Sequence, residues 1–187
     1  YRFKDTNIGI FKTSVGAPIT TGLMEEVSYF FSCSRFVLFG TCGSLDKNIP
    51  ANSLIVPTHA YRDEGVSYHY MEPSDYIEIK NSQKVIKILE QLKVDFAVGR
   101  TWTTDAFYRE TEAEMALRKQ EGCIAVEMEI SACQAVANYR GIEFYTFLYR
   151  GDNLDSKKWD RGLTSNMPKD ERLKILNVAL TIAKMVK

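Results

Sequence analysis

Short apolar segments alternate with amphipathic segments along this chain, and that alternation restricts its fold more than any other feature. Phe36 to Phe39 (FVLF) is an all-apolar run with the length of a buried strand. Ser82 to Leu92 instead has the 3.6-residue periodicity of an amphipathic helix. Because chains that alternate strand and helix form α/β folds, the sequence predicts an α/β fold with a mainly parallel or mixed sheet.

The same patterns predict the remaining elements. Strands are predicted at 7–15, 36–39, 53–59, 96–101, 123–126 and 143–149, and helices at 18–31, 82–92, 112–120, 129–139 and 168–187. In sheets of this kind, ligands bind beyond the carboxyl ends of the strands. The residues that end or follow each strand are therefore the candidates for a functional site.

Composition excludes several classes of function. The 187 residues include 24 basic and 24 acidic residues, and 45% are hydrophobic, which is typical of a globular protein with one sizeable core. Zero net charge predicts neither a nucleic-acid surface nor a polybasic membrane patch, and no apolar run approaches the ~20 residues that span a bilayer. Without a signal-peptide pattern, we expect a cytoplasmic protein whose cysteines are free thiols, at positions Cys33, Cys42, Cys123 and Cys133.

Polar groups gather at four predicted strand ends. These are TSVGAP at 13–18, FGTCGSL at 39–45, AVEMEISA at 125–132 and YRGDNLD at 149–155. A Gly-bracketed hydroxyl such as Thr41 can hold an anion with nearby backbone N–H groups, although the pattern also suits a simple turn. Asp152 is either a loop cap or a general acid. Taken together, the four segments favour a small-molecule site.

Two carboxylates, Glu127 and Glu129, interrupt an apolar, small-residue segment. Ionised carboxylates avoid dry interiors unless something pairs with them. Either they form the polar edge of an ordinary helix, where Glu127 is favoured by the helix dipole, or they hold a ligand.

The order of GTCGSL, TTDAFYRE, VEMEISA and GDNL resembles the nucleoside phosphorylase family. The family meant is that of the hexamer-forming purine nucleoside and uridine phosphorylases, with their related nucleosidases. The resemblance covers nearly the whole chain and implies one phosphorylase-like domain over residues 1–187. It also implies a central mixed sheet, partly closed into a barrel and flanked by helices, and a homo-oligomer built from dimers, up to a hexamer.

The resemblance implies a role for several single residues. Glu129 would bind the ribose 2′ and 3′ hydroxyls, which suits a carboxylate that accepts two hydrogen bonds from a cis-diol. Phe107 would stack on the base, and Asp152 would protonate a purine base or hydrogen-bond to it. The remaining counterparts are less specific. Met128 and Val15 would lie beside the sugar, Glu127 near base and sugar, and Tyr108 beside the base. Thr41, Gly40 and Gly43 would surround phosphate, and Arg172 or Arg161 would assist Asp152. The segment 156–166, with Trp159, is expected to form a lid over Asp152.

Two departures from the family pattern bear on phosphate. Leu38 stands where phosphorolytic members usually carry an arginine, and the family's N-terminal strand with its Gly-Asp-Pro phosphate loop and a further arginine is not found in the chain as given. Three interpretations stay open: a phosphorylase with an N-terminal segment beyond the given chain, a nucleosidase that uses water, or an inactive nucleoside-binding relic. Asp152 favours a purine, whereas Arg109 leaves a pyrimidine open.

The sequence therefore predicts a nucleoside phosphorylase of nucleoside metabolism and salvage. Such a pentosyltransferase would cleave the N-glycosidic bond of a purine ribonucleoside with phosphate as co-substrate, giving the free base and ribose 1-phosphate. No metal or other cofactor is expected, because protonation of the leaving base supplies the activation. The alternatives are a hydrolytic nucleosidase, a uridine phosphorylase and an inactive relic.

Overall fold

Strands and helices alternate in the computed structural model, which describes residues 3, 6–51, 53–156, 162 and 167–186. The prediction of an α/β fold is confirmed. In chain order the elements are α1 (Ala17–Phe31), β1 (Arg35–Ser44), β2 (Leu54–Asp63), β3 (Tyr76–Glu78), α2 (Ser82–Leu92), β4 (Phe96–Thr104), α3 (Glu112–Gln120), β5 (Cys123–Glu127), α4 (Ile130–Arg140), β6 (Glu143–Asn153) and α5 (Lys169–Met185), with 3₁₀ turns at Ser67–His69 and Phe107–Arg109.

The sheet has the order β3-β2-β4-β5-β1-β6, and β6 returns to pair with β2. That last pairing joins Leu54 and Ile55 to Tyr149 and Leu148. Five strands therefore close into a barrel, while β3 extends from β2 outside it. The β1–β6, β2–β4 and β4–β5 pairs are parallel, and the β1–β5, β2–β3 and β2–β6 pairs are antiparallel. The predicted mixed, partly barrel-like sheet flanked by helices is confirmed.

Helix α4 is the most deeply buried helix of the described chain. Every residue from Ile130 to Ala137 is buried, and five of them belong to the core cluster that includes Phe144: Ile130, Cys133, Ala135, Val136 and Ala137. Small residues such as alanine let the helix approach the sheet closely while still removing apolar surface from water. The site at the start of α4 therefore rests on a rigid support.

Two predictions about the first forty residues are wrong. Residues 7–15 do not form a strand, since they hold only an isolated bridge at Gly9. Alternation fixes which way side chains point, but a strand also needs a neighbouring strand to pair with. An amphipathic helix at 18–31 would bury its apolar residues Ile19 and Phe30, but in α1 both are exposed, and the buried residues are instead Ala17, Thr20, Thr21 and Met24.

The loop predicted at 40–45 is also largely strand. β1 continues to Ser44 and pairs with β6, with one register shift between Cys42 and Gly43. Asp152 likewise lies within β6 instead of after it. The two strands are longer than their apolar cores because each supplies the other's hydrogen-bonding partner well past the last apolar residue.

None of the described helices is both long and apolar enough to cross a lipid bilayer. All four cysteines are free thiols, and three of them are buried.

Candidate active site

One row of paired residues crosses the sheet and brings three of the predicted strand ends together. Trp102 of β4 pairs with Val126 of β5, Val126 pairs with Gly43 of β1, and Gly43 pairs with Asp152 of β6. One residue beyond Val126, Glu127 pairs with Thr103. The register therefore places the Asp152 and Glu127 strand ends on either side of Gly43.

Gly43 has no room for a side chain. A Cβ atom there would lie 2.9 Å from side-chain carbons of both Leu154 and Val126, and 3.4 Å from Oδ1 of Asp152. Gly40 differs, because a Cβ atom there would meet nothing within 4 Å. Gly40 and Gly43 are both predicted to shape a phosphate loop, but the packing of neighbouring side chains requires a glycine only at position 43.

Glu129 occupies the N-cap position of α4, with its carboxylate partly buried. The backbone N–H of Gly16 donates a hydrogen bond to its Oε1 over 2.6 Å. Burial raises the pKa of Glu129, and the Gly16 N–H acts in the opposite direction by stabilising the charged form. Because a carboxylate offers about four acceptor sites, Glu129 retains capacity for a further donor such as a sugar hydroxyl.

Glu127 is buried, and its carboxylate serves the start of α4. Its Oε2 accepts the backbone N–H groups of Glu129 and Ile130, each over 2.7 Å. Its Oε1 accepts the hydroxyl of Thr103, and the hydroxyl of Thr101 at 3.4 Å. Burial and the neighbouring charge of Glu129 raise the pKa of Glu127 to about 8. Of the two interpretations of Glu127, these contacts support the helix start.

The predicted base-binding aromatics lie in the 3₁₀ turn that follows β4. Phe107 is 47% exposed, and its ring centroid is 4.1 Å from that of Tyr108. Tyr108 is 90% exposed, so it contributes little to an enclosed pocket. Phe107 therefore offers a partly sheltered aromatic face three residues beyond the end of β4.

The carboxyl group of Glu110 lies close enough to Asp152 for the charge of Asp152 to affect its pKa. Burial, and next the charge of Asp152, raise the pKa of Glu110 to about 7. A carboxyl group whose pKa lies near neutrality can hold or release a proton at the pH at which an enzyme works. Glu110 follows directly on the aromatic turn, so this carboxyl group and Phe107 belong to the same segment.

The remaining predicted residues are less enclosed. Thr41 is exposed on β1, where it pairs with Tyr149, and Val15 is 70% exposed beside Gly16. Met128 is partly buried between the two glutamates. The Arg172 guanidinium donates to the carbonyl of Met167 over 2.9 Å.

Three predictions concern the segment after β6. Arg161, Trp159 and most of the lid predicted at 156–166 lie outside the residues that the structure describes. Among the residues that are described, no group of histidine, cysteine, aspartate and glutamate side chains is arranged to hold a metal ion.

Comparison with known proteins identifies the family. A model described as the phosphorylase superfamily matches residues 2–182. The chain belongs to the phosphorylase superfamily. The barrel-like sheet and the strand-end residues described above are thus features of a superfamily member, and the resemblance in the four sequence motifs is confirmed.

Individual relatives of this superfamily member are distant. Purine nucleoside phosphorylase DeoD-type 1 of Shewanella oneidensis is 30% identical over 139 residues, which cover 73% of this chain and 59% of that protein. Purine nucleoside phosphorylase DeoD-type of Aliivibrio fischeri is 23% identical over 184 residues, covering 97% of this chain and 76% of the relative. The corresponding protein of Caldanaerobacter subterraneus is 24% identical over 155 residues, with coverages of 81% and 67%.

Sequence reasoning missed three contributors to the site of this superfamily member. Thr103 reads as an ordinary β-branched strand residue, and its hydroxyl gains a role only once β5 lies beside it. Gly16 lies in the polar segment at 13–18, but its N–H contact with Glu129 spans 113 positions. Glu110 stands inside the quoted TTDAFYRE motif, so proximity to Phe107 was the one signal that could have singled it out.

Proposed function

We propose that this superfamily member is a nucleoside phosphorylase that cleaves purine ribonucleosides with phosphate. The products would be a free purine base and ribose 1-phosphate. The observation that carries the proposal is the placement of Glu129, whose partly buried carboxylate is held at the start of α4 with acceptor capacity left for a diol. The names of the relatives, all purine nucleoside phosphorylases, support the same reaction.

The proposed reaction uses few protein groups. Glu129 binds the 2′ and 3′ hydroxyls, and its charge stabilises the positive charge that develops at the anomeric carbon. As the bond between that carbon and the base nitrogen breaks, its electron pair stays with the base. Asp152 donates a proton to the base, and Glu110, whose pKa is raised to about 7, is a second carboxyl group close to Asp152. An oxygen of phosphate then bonds to the anomeric carbon.

Phosphate would bind near Thr41, Gly40 and Gly43, with Arg172 on the side of Asp152. We expect the exposed hydroxyl of Thr41 and backbone N–H groups around the register shift at Gly43 to donate hydrogen bonds to it. Phe107 would stack on the base, and Met128 and Val15 would contact the sugar. No other cofactor is needed for this reaction.

The test is product analysis on purified full-length protein. Inosine, guanosine, adenosine and uridine are each incubated with and without phosphate, and both the free base and ribose 1-phosphate are quantified. Base release that requires phosphate, with purines preferred over uridine, supports the proposal. Release of base and free ribose at equal rates with and without phosphate contradicts it.

A hydrolytic nucleosidase is the second candidate, and one residue favours it. The family resemblance puts an arginine of phosphorolytic members at the position of Leu38 on β1, and Leu38 cannot supply that cation to a phosphate. Water as the nucleophile does not need such a cation to bind. Ribose appearing as the sugar product would identify the nucleosidase, whereas nucleoside binding without any base release would identify an inactive relic.

We further propose that the protein forms a homo-oligomer built from dimers, up to a hexamer. Helix α1 supports this proposal because it ends in three strongly exposed aromatic side chains, Tyr29, Phe30 and Phe31. Apolar clusters of this kind commonly mark interfaces between subunits. Light scattering coupled to size-exclusion chromatography measures the oligomer mass, and a monomer at micromolar concentration would contradict the proposal.

A further inference from the structure

A buried polar network links the end of β4 to the first turn of α4. Thr103 and Ser131 are fully buried, and Glu127 is nearly so. Thr103 donates its hydroxyl hydrogen to Glu127 and accepts the backbone N–H of Ser131 over 3.1 Å. Glu127 accepts the N–H groups of Glu129 and Ile130. Thr103 and Glu127 therefore accept hydrogen bonds from three successive backbone N–H groups at the start of α4. These N–H groups have no acceptor within the helix itself.

Glu129 is consequently held from two sides. Its backbone N–H is bound by Glu127 from inside the protein, and its carboxylate is bound by the N–H of Gly16. A side chain at a helix start points wherever its backbone dihedral angles direct it, so the first contact determines whether the second can form. Glu129 has a φ of −138° and a ψ of −32°, which places it outside both the helical and the strand conformations. Such a backbone needs external contacts to persist.

We propose, on the basis of the function proposed above, that Glu127 is a positioning residue for ribose recognition, acting with Thr103 through the backbone of Glu129. It does not touch the substrate. Its oxygens are committed to protein donors, so its contribution is to fix the direction of the Glu129 carboxylate toward the diol. A fixed carboxylate does not have to be ordered again when substrate binds, which favours affinity for the hydroxylated sugar.

The role of Glu127 depends on an acceptor oxygen and not on a negative charge. A glutamine at this position keeps one oxygen for the two N–H groups and directs an amide toward the Thr103 hydroxyl, which can accept a hydrogen bond. Alanine removes both oxygens and leaves buried N–H groups unpaired. Burial and the charge of Glu129 favour the neutral form of Glu127, and glutamine resembles that form. Glu127→Gln should therefore preserve what Glu127→Ala loses.

The first measurement does not require activity. Selective ¹⁵N-glycine labelling restricts the amide spectrum to the 11 glycines, and Gly16 is assigned from the loss of its signal in Gly16→Ala. A short hydrogen bond to a carboxylate moves an amide proton downfield. We expect this signal to move upfield in Glu127→Ala and, by a smaller amount, in Thr103→Val, and to stay in place in Glu127→Gln and Thr103→Ser. A Gly16 signal that responds to Glu129→Gln but not to Glu127→Ala overturns the inference.

The second measurement compares sugars. We expect Glu127→Ala to raise KM for a ribonucleoside by about tenfold while raising it less than about twofold for the 2′,3′-dideoxynucleoside, which lacks the diol. A role confined to stability would change both values equally, and that result overturns the inference. Thr103→Val serves as a second variant if Glu127→Ala does not fold.

Glu64→Gln is the matched control. Glu64 is a buried carboxylate on the same network, but it binds the Ser131 hydroxyl and the N–H of Ser67 instead of Glu129. We expect it to lower stability without moving the Gly16 signal or the ratio of the two KM values. Wild-type protein that releases no base from any nucleoside contradicts the proposed function, and the Gly16 signal then still decides the positioning role of Glu127.

Discussion

Gly16 donates its backbone N–H to Oε1 of Glu129 over 2.6 Å, and this contact joins the starts of two helices. Gly16 is the N-cap of α1, and Glu129 is the N-cap of α4. The partial positive charge at a helix N-terminus favours an anion, so both helices stabilise the Glu129 carboxylate. The contact also unites two of the four polar segments recognised in the sequence, those at 13–18 and 125–132.

Gly16→Ala should weaken ribose binding. Gly16 has a φ of +109° and a ψ of 146°, a conformation that is essentially restricted to glycine. A side chain there would cost about 1–3 kcal/mol in strain or would move the N–H away from Glu129. We expect KM for a ribonucleoside to rise by about tenfold, measured by steady-state kinetics.

Gly22→Ala is the control for this change. Gly22 lies within α1, and a Cβ atom there would meet nothing within 4 Å. Alanine in a helix interior stabilises by about 0.5–1 kcal/mol relative to glycine, so this variant should unfold at a higher temperature with unchanged KM. Equal KM values for Gly16→Ala and wild-type protein would contradict the role assigned to the Gly16 contact.

Gly43→Ala should destabilise the protein, whereas Gly40→Ala should leave its stability unchanged. A Cβ atom at Gly43 must displace Val126 or Leu154, and it would press on Asp152, while the space at Gly40 is open. Overpacking of this kind costs about 1–3 kcal/mol in stability. We expect Gly43→Ala to lower both the free energy of unfolding in urea and kcat. A Gly40→Ala variant that loses as much stability as Gly43→Ala would show that overpacking is not the cause of the loss.

The elements that the sequence predicted best are those specified by local patterns. Helices α2 and α3 begin and end at the predicted residues, 82–92 and 112–120. In α3 the reason is visible, because Thr111 and Glu114 form a capping box that marks the start within four residues of sequence. The resemblance in the four motifs likewise rests on short segments, and it led to the correct superfamily.

What the sequence missed depends on pairing between distant segments. Strand β1 runs to Ser44 because β6 lies beside it, and no feature of GTCGS alone distinguishes that strand from a loop. The predicted strand at 7–15 failed for the opposite reason, since its alternation lacks a partner. The roles of Thr103 and Gly16 arise from contacts across 24 and 113 residues, so a pattern within one segment could not reveal them.

The stability of the protein should fall as pH rises, in part because of Glu127. Its pKa is raised from 4.5 to about 8 in the folded state, chiefly by burial, so the folded protein holds a proton that the unfolded chain has lost. The stability that Glu127 contributes through this proton is fully present below pH 4.5 and disappears as pH approaches 8. Within this window, the free energy of unfolding falls by about 1 kcal/mol for each pH unit. Relative to wild type, Glu127→Gln should therefore gain stability between pH 5 and 8 in urea titrations.

Glu114→Gln provides a control of opposite sign. Hydrogen bonds from Thr111 lower the pKa of Glu114, so its contribution is present above the unfolded pKa and is lost as the solution becomes more acidic. This variant should therefore be less stable than wild type at pH 7 and approach it toward pH 3. A difference between Glu127→Gln and wild type that does not change with pH would contradict the protonated state of Glu127.

Asp152→Asn should impair cleavage most when the base needs a proton. Loss of a general acid typically costs about 10²–10⁴-fold in rate, so kcat for inosine should fall by that amount. 7-Methylguanosine already carries a cationic ring and should lose far less. Asp155→Asn is the control, because Asp155 lies three residues away and pairs with Lys119 instead of the site. Equal losses for both nucleosides would argue against Asp152 as the acid.

Glu110→Gln should move the pH dependence of the same reaction. The pKa of Glu110 is raised to about 7 by burial and by the charge of Asp152, so Glu110 itself changes charge near neutral pH. Replacing Glu110 removes a group that gains or loses a proton beside the proposed base site in this pH range. We expect the kcat/KM profile for inosine to lose its inflection near pH 7 in Glu110→Gln, with the profile for 7-methylguanosine unaffected. An unchanged profile for inosine would show that Glu110 takes no part in the reaction.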